Sequence, residues 1–175
     1  MSLRQTRIAK DYAILKKLYQ QGIIKQLKGF PGKKKSMNHL AILLEGPEGT
    51  PYHKGLFKYE CLFGPTFPMD PPFFRLHTPI WHPNFWPDPS EYPGKRNICL
   101  AVLDASKKGQ KDGWSPTKNT GTIIHSLLAM YDVEGAYINP HDVFNKKAAQ
   151  ELLKNKPAFI RKAQQITRKY ATKKW

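Results

Sequence analysis

Cysteine is scarce in this sequence, whose 175 residues include only Cys61 and Cys99. Neither CxxC nor HxxxH spacing occurs, so a structural zinc site would need histidines from elsewhere in the chain to complete it. A disulfide between the two thiols stays open, although thiols in the cytosol or nucleus are normally kept reduced. The sequence therefore predicts no disulfide framework and no metal site.

Long apolar runs are lacking as well. Apolar residues make up 40 % of the chain, but no segment approaches the ~20 continuous apolar residues that a membrane span needs. The N-terminal residues MSLRQT are polar and lack the apolar stretch of a signal peptide. We expect one domain over residues 1–175, in the cytoplasm or nucleus or both, with no membrane partner.

Acidic side chains are few. The chain has 13 Asp and Glu against 29 Lys and Arg, and its net charge is +16. A charge of this size favours weak, salt-sensitive attraction to any polyanion. A nucleic-acid or chromatin partner is a sharper interpretation that stays open, but no recognised nucleic-acid module accompanies the charge.

Helical periodicity appears at both ends of the chain. Residues 3–20 predict a helix with one apolar stripe, formed by Ile8, Tyr12, Leu15 and Tyr19. Its opposite face is expected to be solvated and carries Arg7, Lys10 and Lys17. Further helices are predicted over 120–131, 143–153 and 157–172, with Asn155 available to cap the last one.

Strand patterns lie between these helices. Residues 39–44 form an apolar run that ends in turn chemistry, and residues 73–76 fit a short strand. Residues 56–63 alternate, which puts Phe57, Tyr59, Cys61 and Phe63 on one face. A basic loop is expected over 28–37 and a long irregular stretch over 78–117, and such stretches are usually functional. Short strands with tight turns favour an antiparallel meander.

The two thiols differ in their surroundings. Cys61 falls on the aromatic face of a strand, where thiols usually serve as inert packing. Cys99 follows Asn97 and Ile98 in a loop near lysines such as Lys95, where a thiol is partly exposed and reactive. The nearest candidate base in sequence is His82, although an isolated histidine is more often a structural hydrogen-bonding residue.

Five motifs occur in a fixed order: FPMDPP at 67–72, WHPN at 81–84, NICL at 97–100, WSP at 114–116 and NPHD at 139–142. Together they resemble the ubiquitin-conjugating enzymes, which carry ubiquitin between the activating enzyme and a ligase. The resemblance covers about residues 3–171. It implies an α+β, UBC-like fold with an N-terminal helix, a four-stranded antiparallel meander, a long active-site loop, a crossing helix and two C-terminal helices.

The resemblance also implies roles for the matching residues. Cys99 is expected to be the catalytic acceptor that holds ubiquitin as a thioester. Asn84 would stabilise the oxyanion formed when a lysine attacks, unless it only holds the loop backbone. His82 and Pro83 are expected to be structural. Asp142 would orient or desolvate the incoming lysine, and a helix N-cap is an equally weighted and compatible role.

The implied partners are ubiquitin, the activating enzyme, a ubiquitin ligase and lysine-bearing proteins. Contacts to activating enzyme and ligase are expected from three places, each with loop rigidity or a solvated face as its alternative: Arg4, Arg7 and Lys10; Pro68 and Met69; and Ser115, Pro116 and Thr117. No metal and no cofactor is implied, because the upstream activating enzyme uses the ATP.

Two stretches depart from the family pattern. Residues 85–96 and 103–113 are longer than is common, and the second is basic at 107–111. We expect the basic insertion to favour a different ligase, acceptor or linkage. Two other functions stay open: conjugation of another ubiquitin-like modifier of the SUMO or NEDD8 type, and a non-catalytic scaffold that binds ubiquitin or a ligase. The presence of Cys99 argues against the scaffold.

Overall fold

Helices flank a single sheet in the computed structural model, which describes residues 2–33, 36–91, 93–135 and 143–175. The elements follow one another along the chain as α1 (Leu3–Gln20), β1 (Ile24–Gly29), β2 (His39–Glu45), β3 (Leu56–Leu62), β4 (Phe73–Leu76), α2 (Thr120–Ala129), α3 (Lys146–Lys154) and α4 (Lys156–Tyr170). Three short 3-10 turns lie between β4 and α2, at Pro89–Glu91, Ala101–Leu103 and Ala105–Lys107. Among the described residues, no helix is both long enough and apolar enough to cross a bilayer.

The sheet is an antiparallel meander with strand order β1-β2-β3-β4. The alternation predicted for β3 is confirmed: Phe57, Tyr59 and Cys61 are buried, while Lys58 and Glu60 between them are partly exposed. Tyr131 follows α2 and shares a hydrogen bond of 2.6 Å with the hydroxyl of Tyr59. This contact ties the end of α2 to the middle of the sheet.

Strand β1 was not predicted from the residue pattern, and the basic loop expected over 28–37 starts too early. Lys28 and Gly29 belong to β1, where they pair with β2. A register irregularity lies between Ile24 and Gln26, and Ile24 is the only buried residue of the strand. An edge strand with a bulge and little burial has no clear two-residue alternation, so its sequence gives a weak signal.

The predicted span of α1 is confirmed, but its predicted faces are partly wrong. Its buried residues are Ile8, Asp11, Leu15 and Leu18, whereas Tyr19 is 48 % exposed. Arg7 was expected to be solvated, yet its Nε donates to the fully buried carboxylate of Asp11 at 2.6 Å. The buried face of α1 therefore contains an ion pair, which the spacing of apolar residues along the helix does not predict.

Capping asparagines set the starts of the last two helices. Asn155 accepts a hydrogen bond from the N–H of Ala158 at 3.2 Å, so the predicted cap of α4 is confirmed. Helix α3 begins at Lys146 rather than at the predicted residue 143, because Asn145 is its cap and accepts from the N–H of Ala148 at 3.0 Å. Asp142, for which a cap at this helix was the alternative role, lies outside the described residues.

Candidate active site

Two short backbone segments, 84–86 and 97–99, run side by side and bring Asn84 next to Cys99. The N–H of Cys99 donates to the carbonyl of Asn84 at 2.7 Å, and the N–H of Trp86 donates to the carbonyl of Asn97 at 3.1 Å. Between these bonds, Phe85 and Ile98 form an antiparallel bridge and are fully buried. The two predicted residues, 15 positions apart in sequence, are thus held together by backbone pairing.

Both ring nitrogens of His82 are engaged by backbone groups. The N–H of Asn84 donates to Nδ1 at 3.0 Å, so the ring proton is on Nε2, which donates to the carbonyl of Met130 at 2.7 Å. Burial lowers the pKa of His82 to about 4. The ring is therefore neutral at pH 7 and links the active-site loop to the end of α2.

Asn97 anchors the cysteine-bearing segment to the sheet. Its Oδ1 accepts from the N–H of Leu76 at 3.0 Å, and its Nδ2 donates to the carbonyl of Leu76 at 2.7 Å. The side chain is fully buried. No role was predicted for Asn97, although a polar residue beside the apolar Ile98 and two positions before the cysteine was a usable signal.

Two more predicted residues, Pro83 and Asp142, belong to this region. The carbonyl of Pro83 accepts from the N–H groups of Phe144 at 3.1 Å and Asn145 at 2.9 Å. Phe144 also stacks on Trp86, with ring centroids 5.4 Å apart. These contacts attach the start of α3 to the loop that holds Asn84. Asp142 lies outside the described residues.

Cys99 and the buried Asn84 both border one open cleft of about 690 Å³. Its other walls come from residues 100–102, the 107–113 loop, residue 118 and α2, through Leu100, Ala101, Val102, Lys107, Gln110, Lys111, Asp112, Gly113, Lys118, Thr122 and Ser126. Cys99 is partly exposed there, whereas Cys61 is fully buried in the core. Burial, with the nearby carboxylates of Asp11 and Glu60, raises the pKa of Cys61 well above its usual value.

The three places predicted to contact partners form one continuous surface. Trp114, fully buried, donates from Nε1 to the carbonyl of Pro68 at 2.8 Å. Arg7 donates to the carbonyls of Pro116 and Lys118, and its guanidinium lies 5.4 Å from the ring of Phe67. Helix α1, the 68–69 loop and the 115–117 loop are therefore joined by direct hydrogen bonds.

Within that surface the predicted residues differ in what they offer a partner. The guanidinium groups of Arg4 and Arg7 form hydrogen bonds within the chain. Arg4 donates to the carbonyls of Gly64 at 2.9 Å and Phe63 at 2.7 Å, and the bonds of Arg7 are those to Pro116 and Lys118. Met69 is 62 % exposed. Lys10, Pro116 and Thr117 are also exposed, while Pro68 and Ser115 are partly so. Among the described residues, no three His, Cys, Asp or Glu side chains are grouped to hold a metal ion.

Comparison with known proteins identifies one family. The family model for ubiquitin-conjugating enzymes matches residues 7–167. The chain is 36 % identical over 141 residues to ubiquitin-conjugating enzyme E2 T of Homo sapiens, an alignment that covers 81 % of this chain and 64 % of that protein. It is 32 % identical to ubiquitin-conjugating enzyme E2 13 of Saccharomyces cerevisiae, over 79 % of each chain. The chain thus spans just under two thirds of the human relative.

Solved structures agree with the predicted UBC-like fold. The E2 domain of a Toxoplasma gondii ubiquitin conjugating enzyme superposes with a TM-score of 0.73 at 27 % identity, covering 96 % of this chain and 99 % of that one. A protein from Plasmodium yoelii gives a TM-score of 0.75 at 24 % identity over 99 % of both chains, which shows the fold alone. The predicted α+β, UBC-like architecture is confirmed.

Proposed function

This chain belongs to the ubiquitin-conjugating enzyme family, and on that premise we propose that it accepts ubiquitin as a thioester on Cys99 and transfers it to a lysine amine. The observation that carries the proposal is the 2.7 Å hydrogen bond from the Cys99 N–H to the Asn84 carbonyl. It keeps an accessible thiol and a side-chain amide on the same cleft. The fully buried Cys61 has no such access.

The loading step is a thiol exchange. The thiolate of Cys99 attacks the carbonyl carbon of the thioester that joins ubiquitin to the activating enzyme. A new bond forms between that carbon and Sγ of Cys99, the old carbon–sulfur bond breaks, and the thiol of the activating enzyme leaves as a thiolate. The step needs no metal and no cofactor on this chain, because the ATP is used upstream.

The transfer step is an aminolysis. The nitrogen of a neutral lysine amine attacks the thioester carbonyl, whose oxygen takes on negative charge in the tetrahedral intermediate. The Asn84 amide donates a hydrogen bond to that oxygen, and one such donor contributes ~3–4 kcal/mol in other enzymes. The carbon–sulfur bond then breaks, Cys99 leaves as a thiolate, and the amine loses one proton to solvent.

His82 has no proton-transfer role in this scheme. It is neutral at pH 7, and both of its ring nitrogens bind backbone groups. It acts by holding the Asn84 loop against the end of α2, while Pro83 receives the start of α3. Asp142 keeps its proposed role of orienting the incoming lysine.

The proposed partners are the activating enzyme and a ligase, which bind the joined surface of α1 and the 68–69 and 115–117 loops. The exposed residues Lys10, Met69, Pro116 and Thr117 make the contacts. Arg4 and Arg7 hold the surface together from within.

A loading assay tests this proposal. The protein is mixed with ATP and with ubiquitin and its activating enzyme, and in parallel with SUMO or NEDD8 and theirs. We expect a reductant-sensitive adduct with ubiquitin that then discharges to free lysine. Loading only by another modifier would favour that alternative, which the net charge of +16 also fits. Absence of both loading and discharge would favour the scaffold.

A further inference from the structure

Positive charge is concentrated in the last two helices and the residues that follow them. Residues 146–175 contain ten Lys and Arg and a single acidic residue, Glu151, so they carry +9 of the chain's net charge of +16. The Glu151 carboxylate is directed at the fold, where its Oε2 accepts from Nε1 of Trp81 at 2.7 Å. More than half of the excess positive charge therefore lies in about a sixth of the sequence.

The exposed side of α4 is basic along its length. Phe159, Ala163 and Thr167 are the buried residues of this helix. Arg161 and Arg168 are exposed on the opposite side, two turns or roughly 10 Å apart along the axis. The helix thus packs with one face and presents a pair of arginines with the other.

The segment after α4 continues the basic surface and is anchored at two points. The carbonyl of Ala171 accepts from the N–H of Leu56 at 2.8 Å, and Nε1 of Trp175 donates to the carbonyl of Ile42 at 3.1 Å. Lys173 and Lys174, which lie between these anchors, are exposed. Two further lysines are therefore held on the fold beyond the end of the helix.

Most of the basic side chains in this region are open to a partner. Two of the ten are engaged within the chain, because Lys162 lies 3.4 Å from the centroid of the Trp81 ring and Lys156 pairs with Glu134. The other eight are exposed, and those on α3 are Lys146, Lys147 and Lys154. In the part of the chain that the structure describes, none of the eight forms an ion pair.

An exposed aromatic ring accompanies these charges. Tyr170, at the end of α4, is 45 % exposed, and Nζ of Lys169 lies 4.9 Å from the centroid of its ring. Proteins that bind single-stranded nucleic acids combine basic side chains along the backbone with aromatic rings on which bases stack. Tyr170 and Lys169 supply one of each at neighbouring positions.

We propose that α3, α4 and the segment after them form a binding surface for single-stranded nucleic acid, with Arg161 and Arg168 on the phosphates and Tyr170 stacked on a base. An extended polyanion fits charges that are spread over two helices and a following segment rather than gathered around one pocket. A membrane fits less well, because the apolar side of α4 is buried in the fold and has no contact to offer a bilayer.

This surface is separate from the site of ubiquitin transfer. No residue of α3, of α4 or of the segment after them lines the cleft that holds Cys99. We therefore expect substitutions on the basic surface to change nucleic-acid binding and to leave the loading of Cys99 unchanged. The inference does not depend on the proposed function.

Fluorescence anisotropy with the full chain tests the inference. The probes are labelled oligo-dT and oligo-U of about 20 nucleotides, a duplex of the same length, and polyglutamate as an unlabelled competitor. We expect tighter binding to either single strand than to the duplex, whose bases are already stacked. The logarithm of the affinity should fall linearly with the logarithm of the salt concentration.

Charge variants assign the phosphate contacts to α4. R161Q/R168Q should bind oligo-dT at least about tenfold more weakly at about 50 mM salt, and its salt slope should be shallower by roughly 1.4, or 0.7 for each lost contact. K16Q/K17Q removes the same charge from exposed positions on α1 and is the matched control. Its affinity and slope should stay close to those of the wild type.

Tyrosine variants test the stacking contact. Y170A should weaken oligo-dT binding at least about fivefold with little change in the salt slope, whereas Y170F, which keeps the ring, should bind as the wild type does. Y19A is the matched control, because Tyr19 on α1 is 48 % exposed. Thermal melts of every variant check that the fold is kept.

The outcomes separate this inference from its alternatives. An equal loss of affinity in K16Q/K17Q overturns it, because the effect is then one of net charge. Equal affinity for the duplex, or equally strong binding of polyglutamate, overturns the single-stranded assignment. Binding to phosphatidylserine vesicles with none to the oligonucleotides assigns the surface to a membrane and overturns the inference too. Failure of the wild type to load ubiquitin overturns only the proposed function.

Discussion

The backbone N–H of Cys99 donates to the backbone carbonyl of Asn84 across 2.7 Å, so the candidate catalytic thiol and the candidate oxyanion donor are fixed to each other by main-chain atoms. The side chain of Asn84 takes no part in that bond. Substitutions at residue 84 therefore separate two roles: stabilising an oxyanion and holding the loop.

Replacement of the Asn84 amide tests the first role. In N84D the side chain keeps its shape but loses the amide donor, and we expect lysine discharge to slow about 10²–10³-fold. Loading of Cys99 should change far less, because the proposed role of the donor is in the aminolysis step. Single-turnover loading and discharge, measured separately by non-reducing gels, provide the comparison.

Thermal melts of N84D and N84A supply the control for this comparison. If both variants lose stability and both steps slow together, Asn84 holds the loop and the catalytic assignment is wrong. Discharge of N84D at the wild-type rate would also exclude the oxyanion role, because this variant lacks the amide donor.

His82 should make the stability of the fold depend on pH. Burial lowers its pKa from 6.5 to about 4, so the unfolded chain binds a proton at a higher pH than the folded chain does. The contribution of His82 to the free energy of unfolding is fully present above pH 6.5. It falls by roughly 3 kcal/mol as the pH is lowered from there toward 4. Urea unfolding at a series of pH values between 4 and 7.5 measures this slope.

The variant H82N isolates the contribution of this histidine. It is expected to be less stable than the wild type at pH 7 and to lose less stability on acidification. The difference between the two slopes cancels the contribution of all other titratable groups. Equal slopes would mean that His82 is not buried in its neutral form.

Arg7 should matter for stability and Lys10 for partner binding. In R7A the buried Asp11 loses its ion pair and two loop carbonyls lose their donor, so we expect a loss of about 2–4 kcal/mol. K10A, on the exposed side of the same helix, should stay within about 0.5 kcal/mol of the wild type. It should instead raise the apparent KM for the activating enzyme in loading assays. Equal unfolding midpoints for R7A and K10A would contradict this division.

The two thiols should differ in their reaction with an alkylating agent. Cys99 is partly exposed, while Cys61 is fully buried and its pKa is raised. Only the thiolate form of a cysteine reacts with iodoacetamide. At pH 8 the reagent should therefore modify Cys99 in the native protein at least tenfold faster than Cys61. C99A should show just the slow phase. Two sites reacting at similar rates would contradict the burial of Cys61.

The sequence predicts best those features that depend on local patterns. The predictions of the alternation along β3 and of the cap at Asn155 are both confirmed. Alternating burial and N-capping each depend on residues that are close together in the sequence. Strand β1 was missed because it is a bulged edge strand. The buried Asp11 was missed because its partners, Arg7 and the N–H of Thr120, meet only in the folded chain.

The candidate site shows the same division. Motif order was enough to pair Asn84 with Cys99, and the structure holds them on one cleft. The anchoring of Asn97 to Leu76 was not predicted, since it joins the active-site segment to β4 through tertiary contacts. The basic stretch at 107–111 was noted in the sequence, but only the fold separates the lysines that line the cleft from Lys108, which pairs with Asp70.

The most direct test of the central claim is the intact mass of the protein after incubation with activating enzyme, ubiquitin and ATP, without reductant. The wild type and C61A should each gain the mass of one ubiquitin less one water and lose it on addition of reductant. C99A should gain nothing. An adduct of this kind on C99A, or its absence from C61A, would contradict the assignment of Cys99 as the thiol that carries ubiquitin.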